Sequence, residues 1–421
     1  MLIRFEVANF RSILDHVELS MVAVDKDRDA ARPIPNLGES LLPVAAIYGP
    51  NASGKSNIIA AIAWLQHSVR ESLRAWDDEI PVEPFAFADG KSRQSKFTIE
   101  LIISGIRFEY ILMLDREAVH YEALFHYPEK KRRRIFERED NELKLQRGLG
   151  NLSGTRDLLT PRTLALSVAR RFDEPLVSHF ARNLIATQVL GIRPATKRML
   201  YYNPLYATRR WFDDSNRDQM SLPGMEDLGR PSQADRIQAL ALLKLADLGI
   251  DDVLIDEQVY TEGGRPRPRT RLIHRTENER VPFEFELESE GTRTWFQLIG
   301  PVLAALRTGD LLLFDELDAS LHPTLSMQLI RLFHDPKTNP KGAQLIFTSH
   351  DTSLLNHLNR DEVWLTEKTE DGMTRLGALA DFAGERVRKS QNLEKAYLHG
   401  RFGALPDVDR TEVLRALGLI G

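Results

Sequence analysis

The sequence predicts an α/β protein with a mixed sheet carrying a phosphate-binding loop, an antiparallel side sheet and a long, mostly helical insertion. Three observations predict it. An apolar run, Leu41 to Tyr48, leads into Gly49-Pro50-Asn51-Ala52-Ser53-Gly54-Lys55-Ser56, and a helical pattern follows from Asn57 to Leu65. Far downstream, Leu311 to Phe314 ends in Asp315-Glu316, and Gln344 to Thr348 ends in Ser349-His350. Both read as buried strands. Between these regions, Phe97 to Ile103 and Arg107 to Leu114 flank a turn at Gly105, the pattern of a hairpin.

In chain order, Leu2 to Asn9 reads as a strand rather than a signal peptide, and Val17 to Val22 as a second strand. The connection Asn9-Phe10-Arg11-Ser12 makes Arg11 a candidate for nucleotide phosphate or base; a surface arginine at a turn is the alternative. Asp25 to Ser40, with Pro33, Pro35 and Gly38, reads as a loop. The helix after the phosphate loop runs on from Ala60 to Trp76 and stops before Pro81-Val82-Glu83-Pro84-Phe85. Ala118 to Tyr127 supplies another strand.

From 128 to 280 the sequence leaves the pattern of a compact nucleotide domain. Lys130 to Arg134 is a basic run and Gly148 to Gly154 a turn region. Asp157 to Arg170 and Asp173 to Leu190 read as helices, and Tyr201 to Tyr206 as an aromatic turn. Ser232 to Leu248 reads as a helix with Ser232 at its N-cap and Gly249 just past its end. Asp251 to Tyr260 enters a hairpin whose tip, 263–271, is rich in arginine. Val281 to Leu287 then precedes Ser289-Glu290-Gly291-Thr292 and a helix from Thr294 to Ala305; another helix spans Pro323 to Phe333. The expected organisation is two halves of one nucleotide domain, 1–127 and 281–421, around an inserted arm, 128–280.

The chemistry follows from residue types at these positions. Glycines let a backbone wrap phosphate oxygens, and the loop N–H groups with the helix start offer donors. This assigns Gly49, Pro50, Asn51, Ala52, Ser53, Gly54, Lys55, Ser56 and Asn57 to nucleotide binding. Lys55 would reach the β- and γ-phosphates, and Ser56 would ligate Mg²⁺. Asp315 would hold Mg²⁺, Glu316 would polarise the attacking water, and His350 would contact the γ-phosphate or that water. Asp318 would position neighbouring loops or a second subunit. The absence of cysteine excludes disulfides, thiolate metal sites and cysteine nucleophiles. A net charge of −5 provides no global basic field for nucleic acid. Local contact with nucleic acid rests on Lys130 to Arg134, Arg209-Arg210 and Arg265 to Arg271, interleaved with Tyr201 and Tyr202. No apolar run is long enough to span a membrane, and the cytoplasm is the expected location.

Taken together, Asn9 to Ser12, Gly49 to Ser56, Ser289 to Thr292, Leu311 to Glu316, Leu317 to Pro323 and Thr348 to His350 resemble an ABC-type AAA ATPase. The group is that of RecF and SMC, related to the ATPase part of OLD-family nucleases. Glu394 to Pro406 resembles the ending of its stand-alone prokaryotic members. The resemblance implies Mg²⁺-dependent ATP hydrolysis by a homodimer or higher homo-oligomer with two ATP molecules between subunits. Ser289, Gly291 and Thr292 would then cap the γ-phosphate of the partner subunit. This signature departs from the usual leucine-serine-glycine-glycine form at Glu288 and Glu290, and Thr292 stands where glutamine often follows. Gln94 fits the expected Mg²⁺-contacting glutamine poorly. Relatives act in antiphage defence beside a nuclease or toxin, so the resemblance implies a sensor or scaffold with an effector protein as partner. A DNA-repair clamp that binds DNA through its basic arm is the alternative. Glu362, Glu367, Asp371 and Asp381 do not form the carboxylate cluster of an OLD-type nuclease.

Overall fold

The computed structural model describes residues 1–26, 28–192, 204–213, 232–258, 267–319, 321–381 and 393–399. β1 (Leu2–Ala8) alternates buried Phe5 and Val7 with half-buried Arg4 and Glu6 and pairs with β2 (Val17–Ser20). The expected loop at 25–40 contains a small hairpin, β3 (Arg32–Ile34) and β4 (Glu39–Leu41), turned at Gly38 with φ 77°. The apolar run 41–48 is therefore not one strand. Pro43 has no N–H to extend a ladder, and β5 (Val44–Tyr48) starts after it.

α1 (Lys55–Ala75) follows the phosphate loop. β6 (Ser95–Ile103), β7 (Ile106–Leu114) and β8 (Val119–Tyr127) form the expected meander. It continues through β9 (Arg133–Glu139) and β10 (Glu142–Leu145), so the expected boundary at 127/128 falls inside this sheet. The basic run had masked the strand. Ile135, Phe136 and Arg138 are buried among exposed charges, and a register shift opposite Leu124 and Phe125 breaks simple alternation.

Next come α2 (Thr155–Leu158), α3 (Ala165–Ala169) and α4 (Pro175–Ala186). Pro161 divides what read as one helix into α2 and α3. The expected helix to Leu190 ends at Ala186, because β11 (Gln188–Leu190) pairs in parallel with a core strand. Tertiary pairing overrides the local helical pattern. α5 (Pro204–Arg209) precedes α6 (Gln233–Leu243), whose N-cap is Ser232 as expected. Asp235 N–H donates to Ser232 Oγ at 3.3 Å, and Ser232 N–H donates to the Asp235 carboxylate at 2.6 Å, a capping box.

β12 (Ile250–Gln258), β13 (Arg267–Arg275) and β14 (Arg280–Glu284) make a three-stranded antiparallel sheet. α7 (Glu290–Thr308), β15 (Leu311–Phe314), α8 (Pro323–His334), β16 (Gln344–Thr348), β17 (Val363–Lys368), β18 (Thr374–Ala378) and α9 (Leu393–Leu398) complete the described chain.

Two sheets organise the molecule. The antiparallel one has order β10-β9-β8-β7-β6-β1-β2, and the mixed one β11-β15-β16-β5-β17-β18. All pairs in the mixed sheet are parallel except β17 with β18. Its strands bury both faces. Ala45, Ile47, Leu311, Leu313 and Ile346 join α1 and the antiparallel sheet in one core. Their neighbours Val44, Ala46, Tyr48, Leu312, Phe314, Leu345 and Phe347 join α7 and α8 in a second. Period-two alternation divides each strand between the two cores.

α7 carries Pro301 in its interior. A proline there removes the N–H that would reach the carbonyl of Gln297. Thr208 repairs the loss: its Oγ1 donates to Gln297 O at 3.1 Å and accepts from Gly300 N–H at 2.8 Å. Gly300 permits this approach, since a Cβ there would lie 2.5 Å from Thr208 N. Thr208→Val keeps the shape and removes both bonds. It is expected to cost roughly 1–3 kcal/mol, seen as a lower urea midpoint, whereas Thr208→Ser should stay near wild type.

Candidate functional site

The phosphate loop leaves β5 at Gly49 with φ 154°, turns at Ala52 with φ 62°, and enters α1 through Gly54 with φ 101°. No side chain caps α1 and its first turn holds no acid. Asn57 N–H bonds the Gly54 carbonyl at 3.0 Å, and the N–H groups of Lys55 and Ser56 remain available at the positive end of a 21-residue helix. Asn51 and Ala52 are exposed, and Lys55 is only 6% exposed. Lys55 Nζ donates to the loop carbonyls of Gly49 at 2.8 Å and Pro50 at 3.0 Å.

The two glycines are required by more than a ligand. A Cβ on Gly49 would strike the Thr366 carbonyl and hydroxyl, and one on Gly54 would strike the Thr374 hydroxyl. The β17–β18 hairpin therefore supports the loop from beneath. Ser53 Oγ and Thr366 Oγ1 are 2.6 Å apart, and Thr366 Oγ1 donates to Tyr48 O at 3.2 Å. Thr374 Oγ1 donates to Ser53 O at 2.8 Å and meets Ser12 Oγ at 2.7 Å. Ser12 Oγ accepts from Asn57 Nδ2 at 2.6 Å. Hydroxyls from three distant segments thus tie the loop, the first turn of α1 and the turn after β1 together. Ser12, Thr366 and Thr374 were not assigned by sequence reasoning. Thr366 and Thr374 carry no motif, since either is ordinary in a strand.

The acidic strand end lies two strands away. Thr348 Oγ1 donates to Asp315 Oδ1 at 2.7 Å, and Glu316 N–H donates to Thr348 Oγ1 at 2.7 Å. One hydroxyl at the end of β16 therefore orients both members of the acidic pair. Glu316 is exposed and sits at φ 56°, a backbone region that costs a non-glycine residue energy. Asp318 Oδ1 accepts from His350 N–H at 3.0 Å, which fixes the exposed His350 beside the acids. Asp318 thus acts within its own chain. β11 closes the far side: Asp315 N–H donates to Leu190 O at 3.0 Å. Gly191, with φ 78°, lies where any Cβ would strike the Asp315 carbonyl.

Burial lowers the Lys55 ammonium below its ordinary pKa, and Asp315, Asp318 and Glu316 act in the opposite direction. The carboxylates and the loop lysine therefore share one electrostatic site. Arg11, at φ 51°, is turned elsewhere: its Nη2 donates to Glu83 at 3.1 Å and its guanidinium lies 5.4 Å from the Phe10 ring. Gln94 is exposed just before β6. Ser289 is the N-cap of α7: its Oγ accepts from Thr292 N–H at 3.1 Å and lies 2.8 Å from Thr292 Oγ1. Among the described residues, no hydrogen bond or ion pair joins Ser289, Gly291 or Thr292 to the phosphate loop or to Asp315. A Cβ on Gly291 meets only Ser289 Oγ, at 4.0 Å.

Several arginines that pointed to nucleic acid are engaged internally. Arg132 pairs with Glu109 at 2.9 Å and stacks 3.7 Å from the Phe125 ring centroid; Arg134 pairs with Glu137 at 2.7 Å. Arg269 pairs with Glu284, Arg271 pairs with Asp256 at 2.5 Å, and Arg209 Nε donates to Thr270 Oγ1 at 2.6 Å. Tyr201, Tyr202, the tip 263–266 and the segment 400–406 lie outside the described residues.

A family model described as "AAA domain, putative AbiEii toxin, Type IV TA system" matches residues 44–356, from the start of β5 past His350. The chain belongs to this AAA family. The matched span holds the phosphate loop, the acidic strand end and His350. Two solved structures resemble the AAA chain. One is the "Crystal structure of the SmcHead bound to the C-winged helix domain of ScpA", at 12% identity and TM-score 0.45, covering 90% of this chain and 99% of that one. The other is the "SMC head domain from Thermotoga maritima", at 14% identity and TM-score 0.40, covering 90% and 98%. No curated protein matches by sequence. Among the described residues, no helix of this AAA chain is long and apolar enough to cross a membrane.

Thr374→Val removes the hydroxyl beneath the phosphate loop and leaves Ser53 O without its donor. Affinity for a fluorescent ATP analogue is expected to fall about tenfold, the scale of one buried unmet acceptor, with Thr374→Ser close to wild type. Equal affinity in Thr374→Val would show that the loop holds its shape without the hairpin.

Proposed function

We propose that this AAA domain hydrolyses ATP with Mg²⁺ between two copies of itself and uses the resulting closure to control an effector protein. The observation that carries the reading is that the parallel register of β5, β16 and β15 brings the phosphate loop with Lys55 and the cluster Asp315, Glu316 and Asp318 to neighbouring strand ends. The residues fit the ligand. The loop offers an uncapped helix start to anionic phosphate, and Lys55 exchanges the Gly49 and Pro50 carbonyls for phosphate oxygens. Ser56 Oγ and Asp315 would hold the metal, with Asp315 Oδ1 fixed by Thr348. Mg²⁺ supplies charge neutralisation of the phosphates. Glu316 accepts a proton from the attacking water, and its strained backbone keeps the carboxylate outside the buried strand end. His350 adds a donor on the γ-phosphate side. Asn57 positions the first turn through Ser12, and Arg11 stays paired with Glu83 until a nucleotide competes for it.

Pairing of subunits rests on the segment Ser289 to Thr292. Among the described residues, a Cβ at Gly291 would meet only Ser289 Oγ, and the Ser289 hydroxyl bonds only Thr292. Both are therefore available to a second subunit, whose γ-phosphate they would cap. The description of the matched family names a toxin of a toxin–antitoxin system. We infer on that basis an effector of toxin or nuclease type, held by the elements between α5 and β14, in antiphage defence in the cytoplasm. Arg132, Arg134, Arg269 and Arg271 already have carboxylate partners, which favours a protein partner over a DNA backbone.

Glu316→Gln is expected to bind ATP normally and to slow phosphate release about a hundredfold or more, the usual scale for a lost general base. Unchanged turnover would reassign the base. Lys55→Ala and Gly291→Asp, each inactive alone, should regain activity when mixed, because one hybrid site is intact. No recovery in confirmed mixed dimers would overturn capping by the partner.

A further inference from the structure

The acid preceding Ser289 is an anomaly. Glu288 is only 7% exposed in its side chain, although it lies at the surface end of α7. Its partner comes from the three-stranded sheet: His274 Nε2, on β13, lies 2.8 Å from Glu288 Oε1. The imidazole is itself fixed on two sides. Its ring stands edge-on to Phe283 on β14, with centroids 4.9 Å apart, and its Nδ1 lies 4.0 Å from Asp247 Oδ2. Asp247 Oδ1 accepts from Gly249 N–H at 2.7 Å within the turn after α6, and Gly249 O accepts from Arg275 N–H at 2.8 Å, which latches that turn to β13 next to His274.

The rest of α7 is held independently. Trp295 Nε1 donates to Leu242 O at 2.6 Å, Arg307 pairs with Asp235 at 3.0 Å, and Thr208 bridges Gln297 and Gly300. These anchors fix the helix axis. Before its first turn, Phe285 packs on Phe296 with ring centroids 5.2 Å apart and its carbonyl accepts from Glu288 N–H at 3.3 Å, while Ser289 bonds within α7 alone, its hydroxyl to Thr292 and its carbonyl to Arg293 N–H at 3.0 Å. The one side-chain bond from outside the helix that reaches this end, among the described residues, is His274 to Glu288.

We infer that His274, acting through Glu288, is the positioning residue that aims Ser289 and Gly291 at the nucleotide of the partner subunit. The inference rests on the proposed pairing. Glu288 is one peptide from the Ser289 hydroxyl, so rotation of an unheld Glu288 would swing the cap away. A displacement of about 1 Å in a group that must meet a developing charge is enough to cost two orders of magnitude in rate. The buried acid makes the cap depend on where β13 stands.

The test compares wild type, His274→Ala, His274→Gln and Glu288→Ala in steady-state hydrolysis and in binding of a fluorescent ATP analogue. His274→Ala should lower kcat about tenfold or more, while the analogue's Kd, set by the phosphate loop, stays at the wild-type value. His274→Gln, whose amide can donate near the Nε2 position, should recover most of kcat. Wild-type kcat in His274→Ala overturns the inference, as does a Gln variant no better than the Ala variant. A Kd that weakens in step with kcat also overturns it, since that is general loss of structure. If His274→Ala does not fold, Glu288→Ala decides: it leaves a half-buried imidazole instead of a buried carboxylate, the same fall in kcat is expected, and wild-type kcat overturns the inference. A wild type that binds ATP without turning it over overturns the functional reading, and this inference with it.

Discussion

Everything at the site depends on parallel register. Four strands that are far apart in sequence stop at one edge, and β17 runs past them: Leu190 lies beside Phe314, Phe314 beside Phe347, Thr348 beside Ile47, and Tyr48 beside Leu365. Hydrogen bonds extend the register past the strand ends, from Asp315 N–H to Leu190 O, Leu317 N–H to Thr348 O and Ser349 N–H to Ile47 O. Parallel neighbours need crossover connections, so the loops after β15 and β16 begin crossovers and are free to carry polar side chains, whereas β17 turns back in its hairpin with β18. Without that register the loop lysine and the acidic pair would be unrelated surface groups.

The register is held by cover on both faces. α1 lies between the mixed and antiparallel sheets with Ile58, Ile59, Ile62 and Leu65 fully buried. Each such side chain contributes about 1.5–3 kcal/mol. An uncapped helix start is unfavourable in isolation, and these later turns keep it in place. The strained backbones at Asn9, Arg11, Ala52 and Glu316 are offset in the same way and flank the same site.

What was legible in the sequence follows from what each residue answers to. Gly49 to Ser56 and Asp315-Glu316 were legible because their order along the chain carries the chemistry, and Ser232 because a capping box is local. β9 was hidden because its buried arginine, Arg138, satisfies itself on the carbonyls of Asp140, Thr160 and Thr163. No periodicity scale reads an arginine as core. β11 was hidden because it is three residues long and exists only through β15. Thr348, Thr366 and Thr374 were hidden because their role lies in which atoms they meet in other segments: the Asp315 carboxylate for Thr348, and the carbonyls of Tyr48 and Ser53, more than 300 residues away, for Thr366 and Thr374.

The two helix starts explain why nucleotide should govern pairing. α1 presents an uncapped positive end with no acid in its first turn. α7 presents a capped one, with Ser289 satisfying Thr292 N–H and Glu290 offsetting part of the charge. Two such ends brought face to face repel. On the proposed pairing, a polyanion placed between them turns that repulsion into two attractions, and its loss restores it. A carboxylate at 290 weakens the second attraction, so the hydroxyl and N–H of Ser289 and Gly291 must be well aimed to compensate. That need is what makes the anchoring of Glu288 by β13 consequential: the weaker the general field at a helix end, the more its effect depends on the direction of individual donors.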